Sequence, residues 1–168
     1  MAWDRQLERW VVGHRVGLLN PLVEGLTYAG TYGALWLAIA AAVALAWRRP
    51  EIFIRTLVAA IAAVATSSAL QAAIPRARPH VDALVARPHG HSFPSGHATS
   101  SFACATVLAA AAPRARVPLF VLAALVAWSR VYVGVHYPLD VLAGALLGVA
   151  LGLGLLRALR RLAAARRR

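Results

Sequence analysis

Three short polar clusters hold most of the side chains in this chain that could do chemistry. They are the runs Arg76-Ala77-Arg78-Pro79, Pro94-Ser95-Gly96-His97 and Ser129-Arg130, the last followed by His136 and Asp140. Together the clusters supply arginines, histidines, a carboxylate and a Gly/Ser turn. Arginine side chains pair bidentately with phosphate oxygens and stay charged across the physiological pH range. The clusters therefore contain the residue types needed to bind a phosphate group and to attack it.

The pair His136 and Asp140 could supply the nucleophile. Pro138 favours a helix start, which places Asp140 in the first turn and His136 just before it. The carboxylate can accept the imidazole Nδ1 hydrogen and leave Nε2 free to attack phosphorus, which would give a phosphohistidine. His97 could protonate the leaving oxygen and later activate water. The structural alternative is a capping Asp140 beside an interfacial His136.

The remaining polar residues could hold the phosphate. Arg130 lies in an apolar stretch, where a charge costs at least about 2.5 to 3.5 kcal/mol, so function is its default interpretation and snorkelling to the headgroups its alternative. Ser95 and Gly96 fall at a predicted helix N-terminus, where free N–H groups attract anions, and Ser95 is also a candidate N-cap. Arg76 and Arg78 are predicted phosphate ligands, and a plain basic loop is their alternative.

The composition places these clusters in a membrane protein. Of 168 residues, 60% are hydrophobic and 14% are charged, whereas soluble domains have roughly 25% charged residues. The net charge of +12 comes from arginines that lie between apolar stretches rather than on one amphipathic face, which argues against a nucleic-acid partner. The single cysteine excludes a disulfide within the chain.

Apolar stretches of about 20 residues can cross a hydrocarbon core of about 30 Å as helices. Five are present, at 26–46, 56–74, 93–112, 117–135 and 139–156. We therefore predict an all-α polytopic transmembrane helix bundle that forms a single membrane-embedded domain over 1–168, with a transmembrane core at 26–156. Segment 1–25 has apolar residues at helical spacing between charges, which predicts an amphipathic helix in the membrane interface.

Arginines set the predicted orientation. They follow the first, third and fifth stretches and fill the basic tail 157–168, and the positive-inside rule makes their side cytoplasmic. The polar clusters then lie at the opposite, extracytoplasmic face. We expect the membrane to be a bacterial plasma membrane.

The clusters taken together resemble the type 2 phosphatidic acid phosphatase family of membrane lipid phosphatases. The family pattern is Lys-x6-Arg-Pro, then Pro-Ser-Gly-His, then Ser-Arg-x5-His-x3-Asp, and this chain follows it over about residues 71 to 140. The resemblance implies a nucleophile, an orienting carboxylate and a general acid/base, which are His136, Asp140 and His97. It also implies phosphate-binding residues, which are Arg78, Ser95, Gly96 and Arg130.

The family lysine is replaced by Gln71, a substituted phosphate-site position that brings no charge. Arg76, inside the same motif, could compensate for the lost lysine. The resemblance implies no metal and no other cofactor. His80, His89 and His91 share the predicted outer loop, but their spacing lacks a thiolate partner or a His-x3-His face typical of zinc sites.

A phosphate site at the outer face of a bilayer suits a lipid phosphate as its partner. Small bacterial members of the family include isoprenoid-diphosphate phosphatases, so the first expectation is hydrolysis of undecaprenyl diphosphate to the monophosphate. The alternatives are a phosphatidylglycerophosphate or phosphatidic acid phosphatase, a vanadate-dependent peroxidase, and a non-catalytic lipid-phosphate-binding pseudoenzyme. The sequence makes no prediction of oligomeric state.

Overall fold

The computed structural model describes residues 2–166, which form seven α-helices and, within that range, no β-strand. The helices are α1 Ala2–Gly13, α2 Asn20–Ala29, α3 Ala34–Trp47, α4 Pro50–Ala73, α5 Gly96–Ala111, α6 Arg116–Tyr132 and α7 Pro138–Ala165. One-turn 3₁₀ helices occupy Gly17–Leu19, Thr31–Gly33 and Pro113–Ala115. The predicted all-helical architecture is confirmed.

Helix α5 is the centre of the bundle. Most of its side chains are buried, and it packs against α3, α4, α6 and α7. Many of these side chains are small, such as Ala98, Ser101 and Ala103, which have no exposed surface. The four neighbouring helices can therefore approach α5 closely and fix the position of its first turn.

Helix α7 meets α5 along a stripe of glycines at Gly144, Gly148 and Gly152. A Cβ atom added at Gly144 would lie 2.6 Å from the carbonyl oxygen of Ser95, so no larger residue fits without movement. Small residues at four-residue spacing allow this close approach between membrane helices. The packing brings the start of α5 to the start of α7, where the Ser95 N–H donates to the Asp140 carbonyl at 2.9 Å.

Within residues 2–166, three segments are long and apolar enough to cross a membrane: α4, the stretch Pro113–Tyr132, and α7. A fourth crossing is possible if the bent pair Gly17–Ala29 and Thr31–Trp47 counts as one. The chain is thus a multi-pass membrane protein. Helix α5 overlaps the predicted third span but has only 16 residues, so the count of five spans stays a prediction.

The predicted first span, 26–46, is not one straight helix. The chain bends by 55° between α2 and α3. Tyr32 and Gly33 have positive φ angles of 50° and 79°, which end a right-handed helix. Hydropathy indicates how far an apolar stretch extends but carries no information about such a backbone break.

The predicted helix over 1–25 is also divided. Helix α1 ends at Gly13 and α2 begins at Asn20, so the segment contains two helices. On α1, Trp3, Leu7 and Trp10 are exposed, whereas Asp4 and Glu8 are buried. The helix is therefore amphipathic with its carboxylates turned toward the protein, and its place in the membrane interface stays a prediction.

The two ends of the bundle differ in chemistry. Arg49, Arg55 and Arg160 line a cavity of about 260 Å³ where α4 begins and α5 ends. The polar clusters lie at the other end, in the loops and first turns around the start of α5 and α7. The structure thus separates the basic end of the molecule from the clusters, as the sequence predicts.

Candidate active site

Five parts of the fold bring the polar clusters together. The loop 74–95 supplies the arginine motif, the start of α5 supplies Ser95 to His97, and the end of α6 supplies Arg130. The short connection from α6 to α7 supplies His136, and the first turn of α7 supplies Asp140. Each of these segments ends or begins at the same end of the bundle.

His136 lies in the centre of the site with only 2% of its surface exposed. Its Nε2 atom is 3.1 Å from Nη1 of Arg78. Burial lowers the pKa of His136 to about 4, because the imidazolium loses its hydration, and Asp140 only partly opposes this effect. The imidazole is therefore neutral at physiological pH, as a nitrogen nucleophile must be.

Asp140 has no exposed surface, and its carboxylate lies close to both Tyr137 and His136. Its Oδ2 atom accepts the N–H of Tyr137 at 2.9 Å and so caps α7. The same oxygen lies 3.6 Å from Nδ1 of His136, which is longer than a hydrogen bond. At this distance, the predicted hydrogen bond between Asp140 and His136 is only a close approach of the two side chains. The capping role of Asp140, which was the structural alternative, is present as well.

The guanidinium groups of Arg78 and Arg130 reach the site from different elements. Arg78 donates from Nη1 to the Val135 carbonyl at 3.1 Å, and burial lowers the pKa of its guanidinium. Arg130 is 4% exposed and donates from Nη1 to Oγ1 of Thr27 at 2.6 Å. Arg130 thus points into the protein and does not snorkel to the surface, which removes the alternative raised from the sequence.

Five buried side-chain atoms lack a hydrogen-bond partner among residues 2–166, and besides Nδ1 of His136 two of them lie in the site: Oγ of Ser95 and Nε of Arg130. Ser95 occupies the N-cap position of α5 but its side chain makes no capping hydrogen bond. A buried polar group left unpaired costs about 1 to 3 kcal/mol. Together with the N–H groups that begin at Gly96, these atoms are suited to an anionic ligand.

His97 lies on the first turn of α5, facing α2. Its Nε2 atom is 3.2 Å from the Thr27 carbonyl and 3.4 Å from Oγ1 of Thr31. The hydroxyl group of the same Thr27 accepts a hydrogen bond from Nη1 of Arg130. His97 therefore belongs to the same site as the other predicted residues.

Gln71 and Arg76 make contacts that the sequence did not predict. Gln71 donates from Nε2 to the Pro94 carbonyl at 2.8 Å and so supports the Pro-Ser-Gly-His turn. Arg76 pairs through its two terminal nitrogens with the carboxylates of Asp140 and Asp4. Phosphate binding by Arg76 stays a prediction, and its contacts in the structure are to carboxylates.

Sequence reasoning missed Thr27 and Asp4. Thr27 contacts Ser129 and Arg130 through its hydroxyl group and His97 through its carbonyl. Its one sequence signal is a polar residue at the edge of an apolar stretch. Asp4 lies 72 residues before Arg76, and only its place on the buried face of α1 distinguishes it.

Comparisons with known proteins show which family the chain is similar to. The PAP2 superfamily model matches residues 52–163. An undecaprenyl-diphosphatase of Sulfolobus acidocaldarius is 32% identical over 155 residues, which are 88% of this chain and 74% of the relative. A decaprenylphosphoryl-5-phosphoribose phosphatase of Mycobacterium tuberculosis is 38% identical over 144 residues, which are 82% of this chain and 78% of the relative.

Solved structures are similar over almost the whole chain. A PAP2-type phosphatidylglycerolphosphate phosphatase of Bacillus subtilis has a TM-score of 0.78 at 27% identity, covering 95% of this chain and 86% of the other. LpxE of Aquifex aeolicus has a TM-score of 0.78 at 29% identity, covering 90% and 93%. The resemblance predicted from the motifs is confirmed, and the chain belongs to the PAP2 superfamily of lipid phosphatases.

Proposed function

We propose that the protein removes a phosphate group from a polyprenyl diphosphate, most simply undecaprenyl diphosphate, and releases the lipid monophosphate. The reaction takes place at the extracytoplasmic face of a bacterial plasma membrane and proceeds through a phosphohistidine at His136. The observation that carries the proposal is a neutral, buried His136 whose Nε2 faces Arg78. Ser95, whose N–H donates to the Asp140 carbonyl, and Arg130 each add a buried polar atom that has no partner among residues 2–166.

In the first step, the Nε2 lone pair of His136 attacks the terminal phosphorus. The bond from this phosphorus to the bridging oxygen breaks, and His97 gives that oxygen a proton. The lipid monophosphate leaves, and the phosphoryl group stays on Nε2. The ring keeps its proton on Nδ1 and becomes positively charged, facing the carboxylate of Asp140.

In the second step, a water molecule attacks the phosphoryl group. His97 takes one proton from the water, the bond between phosphorus and Nε2 breaks, and inorganic phosphate leaves. His136 returns to its neutral state. His97 thus gives up a proton as an acid in the first step and regains one as a base in the second, so it ends the cycle unchanged.

Charge stabilisation supplies most of the rate enhancement in this proposal. The transferring phosphoryl group spreads negative charge over its oxygens, and preorganised positive donors stabilise it most effectively in a site without water. Arg78 and Arg130 approach from two elements, and the N-terminus of α5 adds its free N–H groups. Guanidinium forks give these contacts fixed directions.

The substrate proposal rests on the relatives, two of which are named for polyprenyl phosphates. The second candidate is a glycerophospholipid phosphate, favoured by the similarity to the Bacillus subtilis phosphatidylglycerolphosphate phosphatase. Both substrates present a phosphate to the same residues and differ in the lipid. Deciding between the two substrates requires a direct comparison of the rates at which they are hydrolysed.

The test is phosphate release in detergent from a panel of undecaprenyl diphosphate, phosphatidylglycerophosphate and phosphatidic acid. We expect the highest kcat/KM with the polyprenyl diphosphate, and higher values for the glycerophospholipids would favour the second candidate. His136→Ala should lower kcat by at least about 10³-fold. His80→Ala, which changes an exposed histidine of the loop that carries Arg78, is the control and should keep its activity.

Gln71→Lys restores the family residue in the same panel. We expect a lower KM, because a lysine adds a positive charge near the phosphate, although it also removes the hydrogen bond to Pro94. Absence of phosphate release from every lipid by both the natural chain and Gln71→Lys would favour the non-catalytic alternative.

A further inference from the structure

Helix α1 carries a buried carboxylate that contacts the catalytic end of the bundle. Asp4 has no exposed surface. Its Oδ1 atom accepts the N–H of Leu139 at 2.9 Å, and its Oδ2 atom pairs with Nη2 of Arg76. Both carboxylate oxygens are thus engaged by groups that lie beside the proposed catalytic residues.

Arg76 joins Asp4 to Asp140. Its Nη2 atom pairs with Asp4 and its Nη1 atom pairs with Oδ1 of Asp140. The guanidinium also lies over the ring of Tyr137, 4.5 Å from the ring centroid. Two carboxylates and an aromatic face therefore hold one guanidinium, a geometry that a planar fork can satisfy and a lysine ammonium cannot.

This arrangement fixes the direction of the Asp140 carboxylate. Arg76 pairs with Oδ1 of Asp140. The other oxygen of Asp140, Oδ2, therefore accepts the Tyr137 N–H and faces Nδ1 of His136. Without Asp4, Nη2 of Arg76 would lose its partner, and the guanidinium would be free to turn on Asp140. The orientation of Asp140 thus depends on Asp4.

The charges lead to the same conclusion. Arg76 and Asp140 alone would form a neutral pair, which would weaken the attraction of Asp140 for a positive ring. The second carboxylate of Asp4 leaves the three groups with a net negative charge. That charge favours the positively charged His136 ring formed when Nε2 binds the phosphoryl group.

We propose that Asp4 is a positioning residue of the active site, which acts through Arg76 to set the orientation and charge of Asp140. The inference rests on the proposed phosphohistidine mechanism. It gives α1 a role in catalysis in addition to any contact with the membrane. It also gives Arg76 a positioning role in place of direct phosphate binding.

The test compares Asp4→Asn with Glu8→Gln in the full chain. Asparagine keeps the acceptor for the Leu139 N–H but loses the charge that holds Arg76. Hydrogen-bond partners that orient metal-bound histidines typically contribute about 10- to 100-fold. By analogy, we expect Asp4→Asn to lower kcat by roughly that factor with KM nearly unchanged. Glu8 is buried on the same helix face, and Glu8→Gln should keep kcat within about threefold.

Two further variants separate positioning from folding. Asp4→Glu keeps the charge and should recover most of the lost kcat, which a purely structural role of the side-chain shape would not produce. Arg76→Lys keeps a charge but cannot span both carboxylates, so it should lower kcat and leave KM nearly unchanged. This second variant decides the question if Asp4→Asn does not fold.

The inference is overturned if Asp4→Asn keeps the kcat of Glu8→Gln, or if Arg76→Lys raises KM without lowering kcat. The latter result would restore phosphate binding as the role of Arg76. Both outcomes are measured in variants of an enzyme whose natural form is active. Failure of the proposed function would instead appear as absence of phosphate release by the natural chain.

Discussion

At the scale of single residues, the protonation state of His136 follows from burial and from the charges around it. Burial lowers the pKa of this imidazole most, Arg130 and Arg78 lower it further, and Asp140 opposes them. The result, a pKa of about 4 against an ordinary value of 6.5, keeps Nε2 unprotonated in mildly acidic conditions. A nucleophile with an ordinary histidine pKa would lose activity there.

This shift predicts the acid side of the pH profile. Protonated His136 cannot attack, so kcat/KM should fall only as the pH drops toward about 4, once the second ionisation of the substrate phosphate, near about pH 6, has been divided out. The measurement is kcat/KM of the detergent-solubilised enzyme from about pH 3.5 to about pH 8. An acid limb near 6.5 would contradict the buried, neutral nucleophile.

The residues that the structure brings together at the candidate site could be predicted from the sequence because their motifs are short and their spacings local. Asp140 lies four residues after His136, and Ser95 lies two before His97. The partners of Arg76 and Arg130 could not be predicted, since Asp4 and Thr27 lie 72 and 103 residues away in the chain. Contacts of this kind depend on how the helices pack, which the local pattern does not determine.

At the scale of elements, the close packing of α5 on α7 positions the site. Ser95 begins α5 and Asp140 lies in the first turn of α7, and the two are joined by a backbone hydrogen bond of 2.9 Å. The glycines of α7 allow that distance. Any increase in the separation of these helices moves Ser95 away from His136.

Gly148→Ala tests this packing. A Cβ atom at Gly148 would meet the backbone of α5 at Thr99 and Ala103, and overpacking of this kind typically costs about 1 to 3 kcal/mol. We expect a lower thermal-unfolding temperature in detergent and lower kcat. Gly154→Ala is the matched control on the same helix, because a Cβ there meets nothing within 4 Å. Equal behaviour of the two variants would show that the close approach is not required.

The sequence predicted most elements but not their interruptions. Four of the five apolar stretches correspond to helices α4 to α7, whereas the first is divided at Tyr32 and Gly33. Because of this break, α2 lies across the end of α6, where Oγ1 of Thr27 accepts a hydrogen bond from Arg130. The broken helix is therefore part of the site, and a prediction based on hydropathy alone could not include it.

At the scale of the whole molecule, the two ends of the bundle carry different chemistry. Arg49, Arg55 and Arg160 mark one end, and the site with His136 marks the other. The positive-inside rule assigns the arginine end to the cytoplasm. In the proposed orientation the site faces lipid phosphates at the outer face, and α1 lies at the same end because Asp4 pairs with Arg76.

Cysteine labelling tests this orientation. His80 lies in the loop between α4 and α5, and Ala165 lies at the end of α7, at the opposite end of the bundle. Both residues are exposed, whereas the natural Cys104 is buried. In intact cells, a membrane-impermeant maleimide should label His80→Cys directly and Ala165→Cys only after the membrane is permeabilised. The reverse pattern would place the site in the cytoplasm and contradict the proposed orientation.

The most direct test of the central claim is to identify the residue that carries the phosphoryl group during turnover. Undecaprenyl diphosphate labelled in its terminal phosphate is mixed with the enzyme, quenched in alkali to preserve phosphohistidine, and the labelled peptide is identified. We expect the label on His136 in the natural enzyme and none in His136→Ala. Label on another residue, or turnover by His136→Ala at the natural rate, would contradict the mechanism.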